Sequence, residues 1–284
     1  MKRLRAITLA ALLAVGLVTI NVADGEATPR LPGVALAAAD TTPPSLVVEA
    51  YPRYRLGSQI ETEYSEPYWF AQFRLQWKVS DSSGICSQTV LWYGYDQAED
   101  GTPYSVAANA RAFDFQTDLP NTDRGPDWFA VRATDCAGNT ATGGIAKTKF
   151  GLREDNDPAI TYYGTWSASN FTGFSGGTTH YSTKAGDSFT TTFTGDGPVA
   201  LVMEKAPNRG SADVYVDGVF RKTINTNASK TKHRVVVWQA IYKSGTHTLR
   251  VVNRATAGHP RIDLDAVLLC PGSSANGVNL TCDN

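Results

Sequence analysis

The sequence predicts an all-β protein of two small sandwiches, and three observations predict it. Short segments with partial alternation of apolar and polar residues recur between clusters of Gly, Pro, Asp and Asn, which is how the strands of a sandwich read. No segment keeps a convincing helical period over three turns. The length left after a leader is set aside, about 245 residues, suits two domains of roughly 100 to 125 each.

The leader comes first. Lys2-Arg3-Leu4-Arg5 precedes an apolar run from Ala6 to Val18, and small residues follow up to Ala35-Leu36-Ala37-Ala38-Ala39-Asp40. A charged start, an apolar stretch and an A-x-A-like site define a secretory signal. The run falls short of the about 20 residues a membrane span needs. Cleavage is expected near Ala37 or Ala39, with Ala23 as the alternative, so residues 1–39 are assigned to signal peptide and leader. No later segment is apolar enough to cross a bilayer, and the mature chain is expected outside the cell. The whole chain carries a formal charge of −1. Losing Lys2, Arg3, Arg5 and Arg30 with Asp24 and Glu26 brings it to about −3, which speaks against a nucleic-acid partner.

Four cysteines, Cys86, Cys136, Cys270 and Cys282, are an even set in an exported chain and read as disulfides. The pairing Cys86–Cys136 and Cys270–Cys282 is favoured of the three available because each pair stays within one domain. No C-x₂-C spacing supports zinc.

After Thr41-Thr42-Pro43-Pro44, strands are expected over Ser45 to Ala50, Trp69 to Val79, Cys86 to Tyr93, Ala112 to Thr117 and Trp128 to Thr134. In the cleanest of them Phe73, Leu75, Trp77 and Val79 face a core, while Arg74, Gln76 and Lys78 face water. The opening Pro-Pro, Val79-Ser80-Asp81-Ser82-Ser83-Gly84-Ile85 and Ala133-Thr134-Asp135-Cys136-Ala137-Gly138-Asn139 resemble the bacterial Ig-like modules of exported proteins, over Pro43 to Phe150. That resemblance implies an Ig-like β-sandwich over 40–150. It also gives a structural turn in which Asp135 and Asn139 bond backbone and Gly138 takes a positive φ.

Gly151-Leu152-Arg153-Glu154-Asp155-Asn156-Asp157-Pro158 has no apolar face and ends at proline, so 151–158 reads as a linker. Beyond it, strands are expected over Ser188 to Thr194, Val199 to Glu204, Ala212 to Val216, Arg234 to Ala240, Thr246 to Val252 and Arg261 to Leu269. Asp217-Gly218 between two apolar runs predicts a type I′ hairpin. Six pieces follow in order: Tyr163-Gly164-Thr165-Trp166, Gly176-Gly177-Thr178-Thr179-His180-Tyr181-Ser182, Ala185-Gly186-Asp187-Ser188-Phe189, Val214-Tyr215-Val216-Asp217-Gly218, Gly245-Thr246-His247-Thr248-Leu249 and Ile262-Asp263-Leu264-Asp265-Ala266-Val267. Together they resemble the galactose-binding-like jelly-roll modules attached to secreted glycan-active enzymes. The resemblance implies such a domain over 159–284, with the Gly/Ser/Asn-rich tail stapled by its disulfide. Fold does not fix ligand.

Catalytic readings are weaker than structural ones. Gly173-Phe174-Ser175-Gly176-Gly177 matches G-x-S-x-G but precedes a strand-like segment rather than a helix. Gly186-Asp187-Ser188 is similar to the start of a lipase-like family, but no late Asp-x-x-His accompanies it. None of His180, His233, His247 and His259 sits in a zinc spacing. His247 reads as a hydrogen-bonded structural residue, and His180 as one packed beside Trp166. Asp263 and Asp265 share a strand face and poorly suit a glycosidase pair, whose carboxyls oppose each other across a sugar. No cofactor is expected, with calcium at Glu154, Asp155 and Asp157 as the one candidate, since hard cations want several oxygens on a flexible loop.

Sugars offer apolar faces that stack on Trp or Tyr while polar groups bind hydroxyls. Trp238, Tyr242, Tyr163 and Trp166 are therefore the candidate ligand contacts. The first two point outward if Val235, Val237 and Ile241 fill the core. Asn208, Arg209 and Asn253 are secondary polar candidates. The function expected is non-catalytic binding of a polysaccharide or cell-envelope glycan, with the Ig-like domain as spacer. A structural or adhesive module meeting a surface protein is the alternative, and a hydrolase with an unrecognised active site is the second.

Overall fold

Alternation drives the architecture from the first long strand onward. The computed structural model describes residues 39–62, 69–93, 101–119, 127–144, 146–147 and 151–269. The leader up to residue 38, Cys270, Cys282 and the tail lie outside the described residues. The first ten strands are β1 (Ser45–Val48), β2 (Arg53–Tyr54), β3 (Glu61–Thr62), β4 (Trp69–Ser80), β5 (Ile85–Trp92), β6 (Thr102–Val106), β7 (Ala112–Leu119), β8 (Trp128–Asp135), β9 (Thr140–Thr142) and β10 (Ala146–Lys147). One antiparallel sheet gathers β1, β2, β3 and β7 around β4, and the other runs β10-β8-β5-β6 with β9 on β8. Leu75, Trp77 and Val79 meet Val90, Phe129, Val131 and Ala133 in the core between them, as the period-2 pattern of β4 requires. The buried Trp77 indole donates to Gln88 Oε1 at 2.6 Å, which leaves neither polar group unpaired in that core.

The Cys86–Cys136 bond is present and ties β5 to the end of its neighbour β8 within one sheet. At the adjoining turn Asp135 Oδ1 accepts the Ala137 and Asn139 N–H groups, Asn139 Nδ2 donates to the Asp40 carbonyl, and Gly138 has φ 98°. Asp40, Asp81 and Asp135 come together there, with the Asp135 oxygens engaged by this turn.

Nine further strands follow: β11 (Gly151–Glu154), β12 (Ile160–Tyr163), β13 (Ser167–Asn170), β14 (Thr178–Ser182), β15 (Ser188–Lys205), β16 (Ser211–Val216), β17 (Val219–Asn225), β18 (Lys232–Asn253) and β19 (Ile262–Leu269). Four of the expected strands fuse into two, because β15 and β18 run on through a bend and serve both layers of a sandwich. The bend falls at a register shift between Gly195 and Gly197. A side chain at Gly195 would collide with the Lys243 carbonyl, so only glycine admits the crossing. One layer holds β12, the start of β15, the end of β18, β16 and β17. The other holds the start of β18, the end of β15, β19, β11, β14 and β13. Phe189, Phe193, Val214, Leu249, Val251, Leu201, Met203, Trp238, Ile262 and Leu264 fill the space between. Asp217 (φ 54°) and Gly218 (φ 75°) supply the two positive φ values of the expected type I′ hairpin. Among the described residues the fold is all-β, with a single 3-10 turn at Ser175–Gly177.

The segment read as a linker corrects the sequence reading. Gly151–Glu154 pairs residue for residue with Ala266–Leu269 of β19. Its Arg153 is buried, donating to Thr191 Oγ1 and to the Thr192 carbonyl at 2.7 Å. Polar composition hid a strand whose charge is satisfied internally.

The N-terminal sheets are also more than a neighbour. Tyr54, Ile60, Ala71 and Phe73 close over Ala200, Val202, Val236, Ala266 and Leu268 on the outer face of the β15–β19 layer, forming one buried cluster. Gly57 donates to the Val236 carbonyl at 2.8 Å, Val236 to Ser58 at 2.9 Å and Ile60 to Arg234 at 2.9 Å, so residues 57–60 extend that sheet as an added edge. Each large side chain so buried contributes about 1.5–3 kcal/mol.

Candidate functional site

On the opposite, uncovered face, β12 and β15 pair with Ile160, Tyr162, Phe189 and Thr191 directed inward. Thr161, Tyr163 and Thr190 therefore turn outward, and Ser188, paired with Tyr163, is covered and only 2% exposed. Tyr163, at 55% exposure, stands over a cleft of about 410 Å³ lined also by Gly164, Gly186, Asp187, Ser188, Thr190 and Arg250. Gly164, with φ 94°, leaves no room for a Cβ beside the Asp187 carboxyl group. That carboxylate accepts from the Thr165 N–H at 2.9 Å and from Ser182 Oγ at 2.5 Å, which holds it in place. Arg250 is exposed and has no ion pair or side-chain hydrogen bond among the described residues. The cleft thus joins an aromatic face, a fixed carboxylate, an unpaired guanidinium and hydroxyl groups. Such a set can stack an apolar ring face and bond hydroxyls around its rim.

Of the four aromatic residues singled out in the sequence, one reaches this cleft. Trp238 is 5% exposed and sits in the core, opposite to the expected direction. The cause is a register shift: Leu201 pairs with Trp238 but Val202 pairs with Val236, so Val237 is the extra residue of a bulge and alternation changes sides there. Tyr242 packs half-buried against Phe193 and His247 at 5.5 and 5.0 Å, and burial raises its hydroxyl pKa. Trp166 leans on Phe189, its indole donating to the Tyr163 carbonyl at 3.1 Å, which supports the cleft from behind. Arg209 is buried between Glu204 and Asp263, and Asn253 bonds the Ser182 and Pro260 carbonyls, so both serve the fold. Asn208 pairs with Arg209. Asp187, Thr190 and Arg250 line the cleft without any aromatic signal in the sequence. The signal was present in the alternation of Ser188–Thr194 and in the single cation between Leu249 and Val251.

The serine candidates meet no imidazole. Ser175 Oγ donates to Glu154 Oε1 at 2.9 Å, and the buried Ser188 bonds no histidine among the described residues. His247 is held by Asp217 at 2.7 Å and by the Lys243 carbonyl. His180 stacks on Tyr162 at 4.7 Å and faces Asp155 Oδ2 at 2.6 Å.

A second constellation is acidic and internal. Asp265 Oδ1 accepts the Ser175 N–H at 2.8 Å, which brings it to the serine already bonded by Glu154. Burial pushes the Glu154 carboxyl up to about 7, with the Asp155 charge adding to it. Burial pushes Asp265 to about 8, reinforced by Glu154 and Asp155. Glu154 Oε2 and Asp265 Oδ2 are buried without a hydrogen-bond partner among the described residues. Asp155 is engaged by Thr178 and His180, and Asp157 by the Ala159 N–H, while Glu154 keeps one carboxylate oxygen without a partner among the described residues.

No family model matches the chain. It is 31% identical over 109 residues to a Flavonifractor plautii protein named A type blood alpha-D-galactosamine galactosaminidase, spanning 38% of this chain and 10% of that one. It is 23% identical over 213 residues to the A type blood N-acetyl-alpha-D-galactosamine deacetylase of the same organism, spanning 71% of this chain and 27% of that one. Among solved structures it is similar to a family 35 carbohydrate binding module from Clostridium thermocellum, with TM-score 0.33, 17% identity, and 42% of this chain against 98% of that one. It is also similar to the catalytic domain of a GH87 alpha-1,3-glucanase in complex with nigerose, with TM-score 0.32, 16% identity, and 45% of this chain against 30% of that one.

Proposed function

We propose that this chain is an exported, non-catalytic glycan-binding protein that takes sugar in the Tyr163–Asp187–Arg250 cleft. The observation that carries the reading is the cleft itself: an exposed ring with hydrogen-bonding groups of both signs around it and no histidine among its lining residues. The curated relatives support it in kind. Both are named for action on A type blood aminogalactose glycans, and the chain spans only 10% and 27% of their lengths. A shared part that small is read as an accessory unit that holds glycan, and the occupant as an environmental polysaccharide or a cell-envelope glycan. Residues 40–150 and 151–284 are read as two domains, the first serving as a cover and support rather than a free spacer.

A glycan array probed with the purified mature protein tests this. At least one glycan is expected to bind, and Tyr163→Ala should lose it at unchanged melting temperature, whereas Trp238→Ala should lower the melting temperature instead. No glycan bound at millimolar concentration overturns the reading.

Calcium, in this reading, is structural: Glu154 and Asp265 hold it, and it neutralises buried charge rather than touching sugar. Calcium added to chelator-stripped protein should raise the melting temperature, and Glu154→Gln should abolish the rise.

A further inference from the structure

The open sheet carries a line of side chains longer than the cleft. Antiparallel register puts Thr161 opposite Thr190, Thr190 opposite Arg250, Arg250 opposite Tyr215 and Tyr215 opposite Phe220. These five residues form one row crossing β12, β15, β18, β16 and β17 at right angles to the strands. Their neighbours Ile160, Phe189, Leu249, Val251, Val214 and Val216 are in the core, so the row itself faces out. It is bounded by aromatics: Tyr163, two residues beyond Thr161 on the same face, and Phe220, which stays 52% exposed. Phe220 meets Tyr215 edge-on at 5.7 Å, which orients both rings above the sheet. Cross-strand packing alone explains the contact but not why half of Phe220 and more than half of Tyr163 stay in water.

We infer that the ligand is an extended, linear oligosaccharide lying across the strands from Tyr163 to Phe220, with the Tyr163 cleft as only one end of its site. This rests on the glycan-binding reading above. Arg250 belongs to both the cleft and the row, so the two are continuous. Four strand steps of about 4.8 Å make the row about 19 Å long, which matches about four sugar units laid end to end. Thr190 and the unpaired Arg250 place hydrogen-bonding groups at the middle of the line, and stacking surfaces stand at its ends. A chain lying along the strands would instead pass Thr192, Thr194, Thr246 and Thr248, where no ring stands.

The test is a size series, disaccharide to hexasaccharide, of linear β-1,4-linked gluco-, manno- and xylo-oligosaccharides and of α-1,3-linked gluco-oligosaccharides, titrated into the mature protein. Affinity for at least one series should rise about tenfold or more between the disaccharide and the pentasaccharide and then level off. Phe220→Ala should remove that rise while leaving the disaccharide affinity unchanged, whereas Tyr163→Ala should weaken every length. Equal affinity at all lengths, or a Phe220→Ala variant with wild-type length dependence, overturns the extended site and leaves the glycan reading standing. If these chains fail and only branched or terminal glycans bind on the array, the extended site falls alone. If nothing binds in either experiment, both fall.

Discussion

The two outer faces of the C-terminal sandwich share two strands, β15 and β18, and have opposite fates. Where β15 reads Val199-Ala200-Leu201-Val202-Met203, every residue is buried, because the core lies on one side and the N-terminal sheets on the other. Where it reads Ser188-Phe189-Thr190-Thr191-Thr192-Phe193-Thr194, Phe189, Thr191 and Phe193 go inward while Thr190, Thr192 and Thr194 go outward. Strand β18 repeats the contrast, with Val235 and Val236 both buried but Leu249 and Val251 alternating with Thr248 and Arg250. A continuous apolar run marks a strand covered on both faces, and strict alternation marks one left open. The covered face is committed to stability, so only the open one is free to recognise a ligand.

Breaking the covered face should produce the largest effect. Phe73 is fully buried at the junction, 4.7 Å from Tyr54 and 5.7 Å from Phe115, and through Phe115 the N-terminal core and the shared cluster are continuous. Phe73→Ala should cost about 3–5 kcal/mol. Because both halves share that cluster, calorimetry should show one transition moving down as a whole. Two separate transitions, only one of them shifted, would mean that the N-terminal sheets are a spacer after all.

A middle-sized effect belongs to the acids at the edge of the covered sheet. Glu154 and Asp265 are raised to about 7 and about 8 by burial, so in chelated protein the folded chain binds protons more tightly than the unfolded one. Their contribution is complete below the ordinary carboxylate range and is lost as pH rises through 7 and 8. The melting temperature of chelated protein should therefore fall over that window, and calcium, which favours the ionised pair, should flatten or reverse the slope. Glu154→Gln should remove the smaller share of the dependence and leave the larger share, which belongs to Asp265. A chelated protein that gains stability with rising pH through this window would refute the assignment.

Much of this contrast was legible in the sequence, and the misses have physical causes. The inward set of β4 and the Asp217-Gly218 hairpin follow from local rules of alternation and turn chemistry. Trp238 was misdirected by one bulged residue at Val237, which no composition reveals. Gly151–Glu154 looked like a linker because Arg153 is charged, and only tertiary contacts with Thr191 and Thr192 make its burial tolerable. The apolar runs of Val199–Met203 and Ala266–Leu269 already implied a cover on both faces. The cover is the N-terminal half itself, through Tyr54, Ile60, Ala71 and Phe73.

The smallest expected change in stability is on the open face, and its smallness is the point. Arg250 is exposed and without an ion pair or side-chain hydrogen bond among the described residues, so Arg250→Ala removes no fold-supporting contact of that kind. Its stability should stay within about 0.5 kcal/mol of the parent, a shift of about 1–2 °C for a chain of this size. Binding should respond quite differently, since the guanidinium sits where cleft and row meet. Loss of a hydrogen bond from a charged donor at that place should weaken a bound glycan by roughly tenfold or more. Thr192→Ala, outside the row, should change neither quantity by more than a cross-strand threonine pair accounts for, about 0.2–1 kcal/mol. An Arg250→Ala variant that melts as early as Phe73→Ala would mean that this face is covered too, and the distinction between the two faces would be gone.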